Sequence, residues 1–177
     1  GIEVITLKDI DAEIEVEENG KDAIENAIIK AKAYSNVVNI PVFAMDDNLY
    51  LEGVPEDKQP GTFVRRVNGK SLTDTEMIEH YSGFVKQDGT DGKLNCKWVY
   101  GLAVIDKDGN EKTITWEKAD FYMVEKPSEI INPGYPLNSI SKYKSLDKYF
   151  TEITEEEKKK IVFKEDHVVD FIASCIL

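Results

Sequence analysis

The chain has 177 residues, 41% hydrophobic and 32% charged, the balance of a folded globular protein long enough to bury a core. Its 34 acidic residues outnumber 22 basic ones, a net charge of −12 that excludes a broad nucleic-acid surface built on phosphate neutralisation. No run approaches the ~20 apolar residues of a membrane span, and the opening GIEVITLKDI shows neither a basic region nor a small-residue cleavage site. The cytoplasm is the expected compartment, with Cys96 and Cys175 expected as reduced core residues.

In chain order, Ile2 to Leu7 is a short β-rich run. KDAIENAIIKAKAYSNV reads as a helix: Ile24, Ala27, Ile28, Ala31 and Tyr34 follow helical spacing, and Asp22 with Glu25 resembles a capping box. Pro41 to Ala44 reads as a short strand buried on both faces, ending at the pair Asp46-Asp47. Thr73 and Glu76 open a second helix carrying Met77, Ile78 and Tyr81. CKWVYGLAVID and EKTITWEKADFYMVE flank KDGN, a hairpin signal. Residues 126–142 contain Pro127, Pro133, Gly134 and Pro136 and read as an irregular loop. Thr154 and Glu157 cap a further helical segment, and 168–176 reads as an amphipathic helix. With no internal repeat and no linker, the expectation is one α/β domain over residues 1–177 with a mixed sheet flanked by helices.

Three constellations carry chemistry. On the first helix Asp22, Asn26 and Lys30 are spaced by four and share a face, set apart from an Ile24/Ile28 stripe, while Glu17 and Glu18 precede Gly20 just before the first turn. That face suits a cation with a phosphate chain, or else is a solvated face with an acid favoured by the helix dipole. Asp46-Asp47 at a strand end suits Mg²⁺, which takes one or two carboxylates plus substrate phosphates, or else is an Asx turn. Arg65, Arg66 and Lys70 follow a Pro-Gly turn and form either an anion-facing patch or an exposed loop.

Order and spacing then become recognisable. Glu18-Asn-Gly20, Asn26-Ala-Ile-Ile-Lys30-Ala, Ile40-Pro-Val-Phe-Ala-Met-Asp46-Asp-Asn-Leu49 and Pro60-Gly-Thr-Phe-Val-Arg-Arg66-Val-Asn-Gly69 run in one order. This run resembles the inosine triphosphate pyrophosphatase family, house-cleaning enzymes for non-canonical purine nucleotides. Gly134-Tyr135 looks like the family's base-contacting loop, and Tyr149 to Lys158 like the segment before the final helices.

The resemblance implies a mixed, elongated central sheet flanked by helices and Mg²⁺-dependent hydrolysis of ITP, XTP or dITP to the monophosphate and pyrophosphate. Carried over, Glu18 and Asp46 hold Mg²⁺ and Asp46 is also the catalytic base, with Asp47 in support. Asn26, Lys30 and Arg66 face the phosphates; Tyr135 and Lys164 face the base. A homodimer is implied, with a nucleoside triphosphate as substrate and neither a nucleic-acid polymer nor a membrane as partner.

The chain departs from the family pattern in several places. The family's opening strand and Ser/Thr-x-Asn-x-x-Lys loop precede the part that matches, and are absent from these residues. Met45 takes the first acidic position and Asp47 the Ser/Thr position. Pro133 and Pro136 replace a Phe and an Asp around Gly134-Tyr135, and Val162-Phe163-Lys164 replaces Ser-His-Arg. Altered base preference is therefore expected. The alternative is a catalytically inactive member that binds nucleotides or proteins.

Overall fold

A computed structural model describes residues 3–12, 14–161 and 166–176. Its elements are helix α1 (Ala23–Ser35), strand β1 (Val42–Leu51), the short strands β2 (Arg66–Val67) and β3 (Lys70–Ser71), and helix α2 (Asp74–Asp88). The long strands β4 (Lys93–Ile105) and β5 (Glu111–Val124) follow, then β6 (Ser141–Tyr143), β7 (Lys148–Tyr149), α3 (Glu155–Lys160) and α4 (Asp166–Ile176). Five strands form one sheet in the order β1-β4-β5-β6-β7, and β2 pairs with β3 separately. Mixed α/β architecture is as expected.

The chain divides into two compact units. The first takes the described residues of 1–47, 100–116 and 164–177, and the second those of 48–99 and 117–163. In the first, Ala27 and Ala31 of α1 pack on Ala44, Ala103 and Ile105. A further cluster there joins Leu102 and Val104 to Val168 and Cys175 of α4. In the second unit, Leu49, Leu51, Met77, Tyr81, Phe121, Met123 and Ile140 form the largest core. Each such large side chain contributes about 2 kcal/mol on burial.

The helix starts were legible. Thr73 accepts from Glu76 N–H at 3.3 Å while Glu76 accepts from Thr73 N–H at 2.8 Å, closing the expected box. Thr154 and Glu157 do the same for α3. At α1 the reciprocal arm is shifted by one residue. Asp22 Oδ1 accepts from Glu25 N–H at 3.0 Å, but Glu25 Oε2 reaches back to Lys21 N–H rather than to the cap's own. The β4–β5 hairpin turns at the expected residues, where Asp106 Oδ1 accepts from the N–H groups of Asp108 and Asn110, both at 2.9 Å.

Four expectations are corrected. No strand occupies residues 3–7: Thr6 and Asp9 form a local capping box that turns Leu7–Ile10 into a 3-10 segment, and Ile2 lies outside the described residues. The buried face of α1 is Ala23, Asn26, Ala27 and Ala31, while Ile24 and Ile28 are only partly covered. Close approach explains this. A Cβ on Gly101 would lie 2.6 Å from Ile24 N, so small side chains face the strand there. Strand β1 is neither short nor buried on both faces. It runs from Val42 through both aspartates to Leu51, and Phe43 and Met45 are 40% and 48% exposed, because alternate side chains leave on opposite faces. Finally, the loop expected over 126–142 contains a 3-10 segment at Pro136–Ser139, and β6 starts at Ser141.

Candidate active site

The first unit gathers Glu18, Asn26, Lys30 and Asp46 around one ammonium. Alternation along β1 puts Asp46 on the same face as Ala44, which packs against α1, so the carboxylate is aimed at that helix. One helical turn separates Asn26 from Lys30, and both reach it. Lys30 Nζ donates to Asp46 Oδ1 at 2.9 Å and Asn26 Nδ2 to Asp46 Oδ2 at 2.9 Å. Lys30 also meets Glu18 Oε2 at 3.1 Å. One cation therefore draws together two carboxylates that are 28 residues apart in sequence.

Gly20 sets the approach of the Glu18 segment. Its N–H donates to Asn26 Oδ1 at 2.8 Å, and a Cβ there would stand 2.7 Å from that same oxygen. Only glycine lets the backbone come this close. Asn26, 2% exposed, thus uses one end of its amide on the Glu18 segment and the other on Asp46. Sequence spacing leaves Asn26 on either a ligand-facing or a solvated face of the helix; the structure buries its side chain as a brace between two segments.

The charges respond to this packing. Burial alone would depress the Lys30 ammonium, but hydrogen bonds and attraction from Asp46 and Glu18 outweigh it and raise its pKa. Asp47 leaves β1 on the opposite face from Asp46. Burial, then the neighbouring Asp46 charge, raises its carboxyl pKa against the pull of Lys30. The turn reading of Asp46-Asp47 is overturned, since both lie within regular strand.

The remaining candidates belong to the second unit or fall outside the described residues. Arg66 is an exposed residue of β2, paired across the ladder with Ser71. Its neighbour Arg65 is the engaged one: Nη1 donates to Leu72 O at 3.0 Å and Asp74 Oδ1 at 2.9 Å, and Nη2 to Gly134 O at 3.1 Å. Tyr135 is 72% exposed. Lys164 lies outside the described residues. Among the described residues no three His, Cys, Asp or Glu side chains gather as a ready-made metal cluster, and no helix is long and apolar enough to cross a membrane.

Comparison with known proteins agrees with the family suggested by the Glu18–Gly69 pattern. The model of the Ham1 family matches residues 1–172. The chain is 31% identical over 170 residues to the dITP/XTP pyrophosphatase of Bacillus subtilis, covering 94% of this chain and 81% of that protein. It is 26% identical over 161 residues to the dITP/XTP pyrophosphatase of Leptospira interrogans, covering 91% and 78%. Among solved structures, the Staphylococcus aureus Ham1 protein superposes with a TM-score of 0.73 at 22% identity, covering 97% of this chain and 85% of that one. The Mycobacterium abscessus dITP/XTP pyrophosphatase gives 0.69 at 20% identity, covering 97% and 84%. At these identities the structural likeness speaks to the fold.

Proposed function

The chain belongs to the Ham1 family, and from that premise we propose that it hydrolyses non-standard purine nucleoside triphosphates to the monophosphate and pyrophosphate. The observation that supports this most is the Lys30 ammonium held between Glu18 and Asp46. Two hard oxygen donors drawn to one positive centre suit a small divalent ion whose shell is completed by substrate phosphates. Glu18 and Asp46 would hold it, with Mg²⁺ the cation of choice. Once bound, such an ion offsets charge on the phosphate oxygens and makes water a better nucleophile.

The chain's own residues supply the rest. Lys30 transfers its hydrogen bonds from the carboxylates to the phosphate chain, anchoring the triphosphate. That move frees Asp46 Oδ1, while Asn26 keeps Oδ2 in place. Water adds across the α–β phosphoanhydride, the monophosphate and pyrophosphate separate, and Asp46 takes the proton released. Asp47 adds negative charge beside Asp46. Arg66 is assigned to the phosphates, and Tyr135 and Lys164 to the base, with a preference shifted from the family's by the Ser-His-Arg replacement. A cytoplasmic homodimer belongs to the same reading.

The test is pyrophosphate release from a panel of triphosphates, including ITP, XTP and dITP, with Mg²⁺ present. Release by the native chain, lowered at least 100-fold in Asp46→Asn, is the expected result. Tight nucleotide binding without pyrophosphate release would support the inactive-module alternative instead.

A further inference from the structure

In the second unit a pair of charged side chains holds both the N–H and the carbonyl of one residue, Gly134. Asp74, the first residue of α2, accepts from Gly134 N–H through Oδ2 at 2.7 Å, and Arg65 donates to Gly134 O at 3.1 Å. The two side chains are joined to each other at 2.9 Å through Asp74 Oδ1. Arg65 also reaches Leu72 O, whose residue donates its own N–H back to Arg65 O at 2.8 Å. The planar guanidinium thus serves three acceptors in one fork, a geometry lysine cannot reproduce. Gly134 sits at φ +83°, a backbone conformation open to glycine, so the clamp selects a defined turn.

The residue immediately after the clamp is Tyr135. Its backbone is tied too, since its N–H donates to Asn132 O at 2.9 Å and its carbonyl accepts from Asn138 N–H at 3.2 Å. Pro136, buried, follows and fixes the outgoing direction. Yet the Tyr135 ring is 72% exposed. A backbone tied down by this many bonds beneath an aromatic ring left in water offers a stacking face at a fixed place in the loop. Planar aromatic ligands are held better by such a ring, because little backbone freedom of the loop remains to be lost on binding.

We infer that Arg65 and Asp74 are positioning residues that fix the backbone on both sides of Gly134 so that Tyr135 presents its ring to the planar base of a nucleotide. This rests on the pyrophosphatase reading for the identity of the ligand. It assigns to Arg65 and Asp74, which touch no phosphate in this scheme, the job of setting base affinity through Tyr135. Truncating Arg65 frees the loop and costs affinity only as long as the ring is there to be misplaced.

A double-mutant cycle tests it. Calorimetry measures the affinity of the full native chain, Arg65→Ala, Tyr135→Ala and the double variant for the α,β-imido analogue of ITP with Mg²⁺. Each single variant is expected to bind about tenfold more weakly, and the double variant no more weakly than Tyr135→Ala alone. Multiplied losses in the double variant, or native affinity in Arg65→Ala, would overturn the inference. Arg65→Lys, which keeps the charge, serves if the alanine variant fails to fold, and is expected to lose severalfold affinity in the Tyr135 background only. A native chain that binds no analogue and releases no pyrophosphate removes the parent reading and the clamp's role together. A native chain that does both while Arg65→Ala and Arg65→Lys bind normally removes the clamp alone.

Discussion

The Lys30 ammonium donates to Asp46 Oδ1 at 2.9 Å with the two side chains only 14% and 19% exposed. Removing the cation takes from Glu18 and Asp46 their shared partner and leaves Asp46 one of its two side-chain hydrogen bonds. Lys30→Met is therefore expected to lower stability by about 2 kcal/mol, below the full cost of breaking a wholly buried pair because Asn26 still holds Asp46. Pyrophosphate release should fall by about 100-fold or more. The pair also sets an alkaline limit. A raised folded-state pKa gives stability that is complete below the unfolded value near 10.5 and is lost as pH rises through the folded one. Native stability should decline more steeply above that range than stability of the Met variant, as read by denaturant melts across alkaline pH.

Asn26 braces two segments with one buried amide. Asn26→Ala strands the Gly20 N–H and one Asp46 oxygen, an expected loss of about 2 kcal/mol. Asn26→Asp is expected to be worse, because a carboxylate replaces the donor to Asp46. Urea unfolding midpoints order native, Ala and Asp variants accordingly.

Gly101 allows α1 to lie close to β4. Gly101→Ala places a Cβ 2.6 Å from Ile24 N, so the helix must shift. The expected cost is about 1–3 kcal/mol. Since α1 carries both Asn26 and Lys30, activity should drop along with the thermal midpoint rather than independently of it.

Acid sensitivity traces partly to α2. Lys70, then the Thr73 N–H, holds the Glu76 carboxyl down at about 2 against an ordinary 4.5. A depressed carboxyl stabilises above its unfolded pKa, and the contribution fades as pH falls from about 4.5 to about 2. Glu76→Gln is thus expected to narrow the stability gap between pH 7 and pH 3, measured by chemical denaturation at both.

Cys96 is buried, and burial chiefly pushes its thiol up to about 12. At pH 8 only about 1 in 10,000 such thiols is ionised. Iodoacetamide should leave Cys96 unlabelled in the native chain and modify it once denaturant is added, a difference mass spectrometry resolves.

Much of this architecture was written in local pattern. Thr73-x-x-Glu76, Thr154-x-x-Glu157 and the Asp106–Asn110 turn each fix structure through bonds between near neighbours, so spacing alone exposes them. Periodicity puts Asn26 and Lys30 on one face of α1 with Glu18 just ahead of it, while the link from these residues to Asp46 comes only with the family resemblance. What stayed hidden depends on close approach in space. Nothing local says that Gly101 turns the face of α1 from isoleucine to alanine, or that β1 continues through two aspartates. Likewise, Asp74 and Gly134 lie 60 residues apart. Adjacent arginines at 65 and 66 look alike in sequence, and only the fold shows which one is engaged.

The most direct measurement follows the phosphorus spectrum of dITP or XTP incubated with Mg²⁺ and the native chain, beside Asp46→Asn. A nucleoside monophosphate and pyrophosphate should accumulate together, at least 100-fold more slowly with the variant. A diphosphate with free orthophosphate, no turnover at all, or equal rates for the two proteins would show that the Glu18–Lys30–Asp46 cluster is not a pyrophosphatase centre.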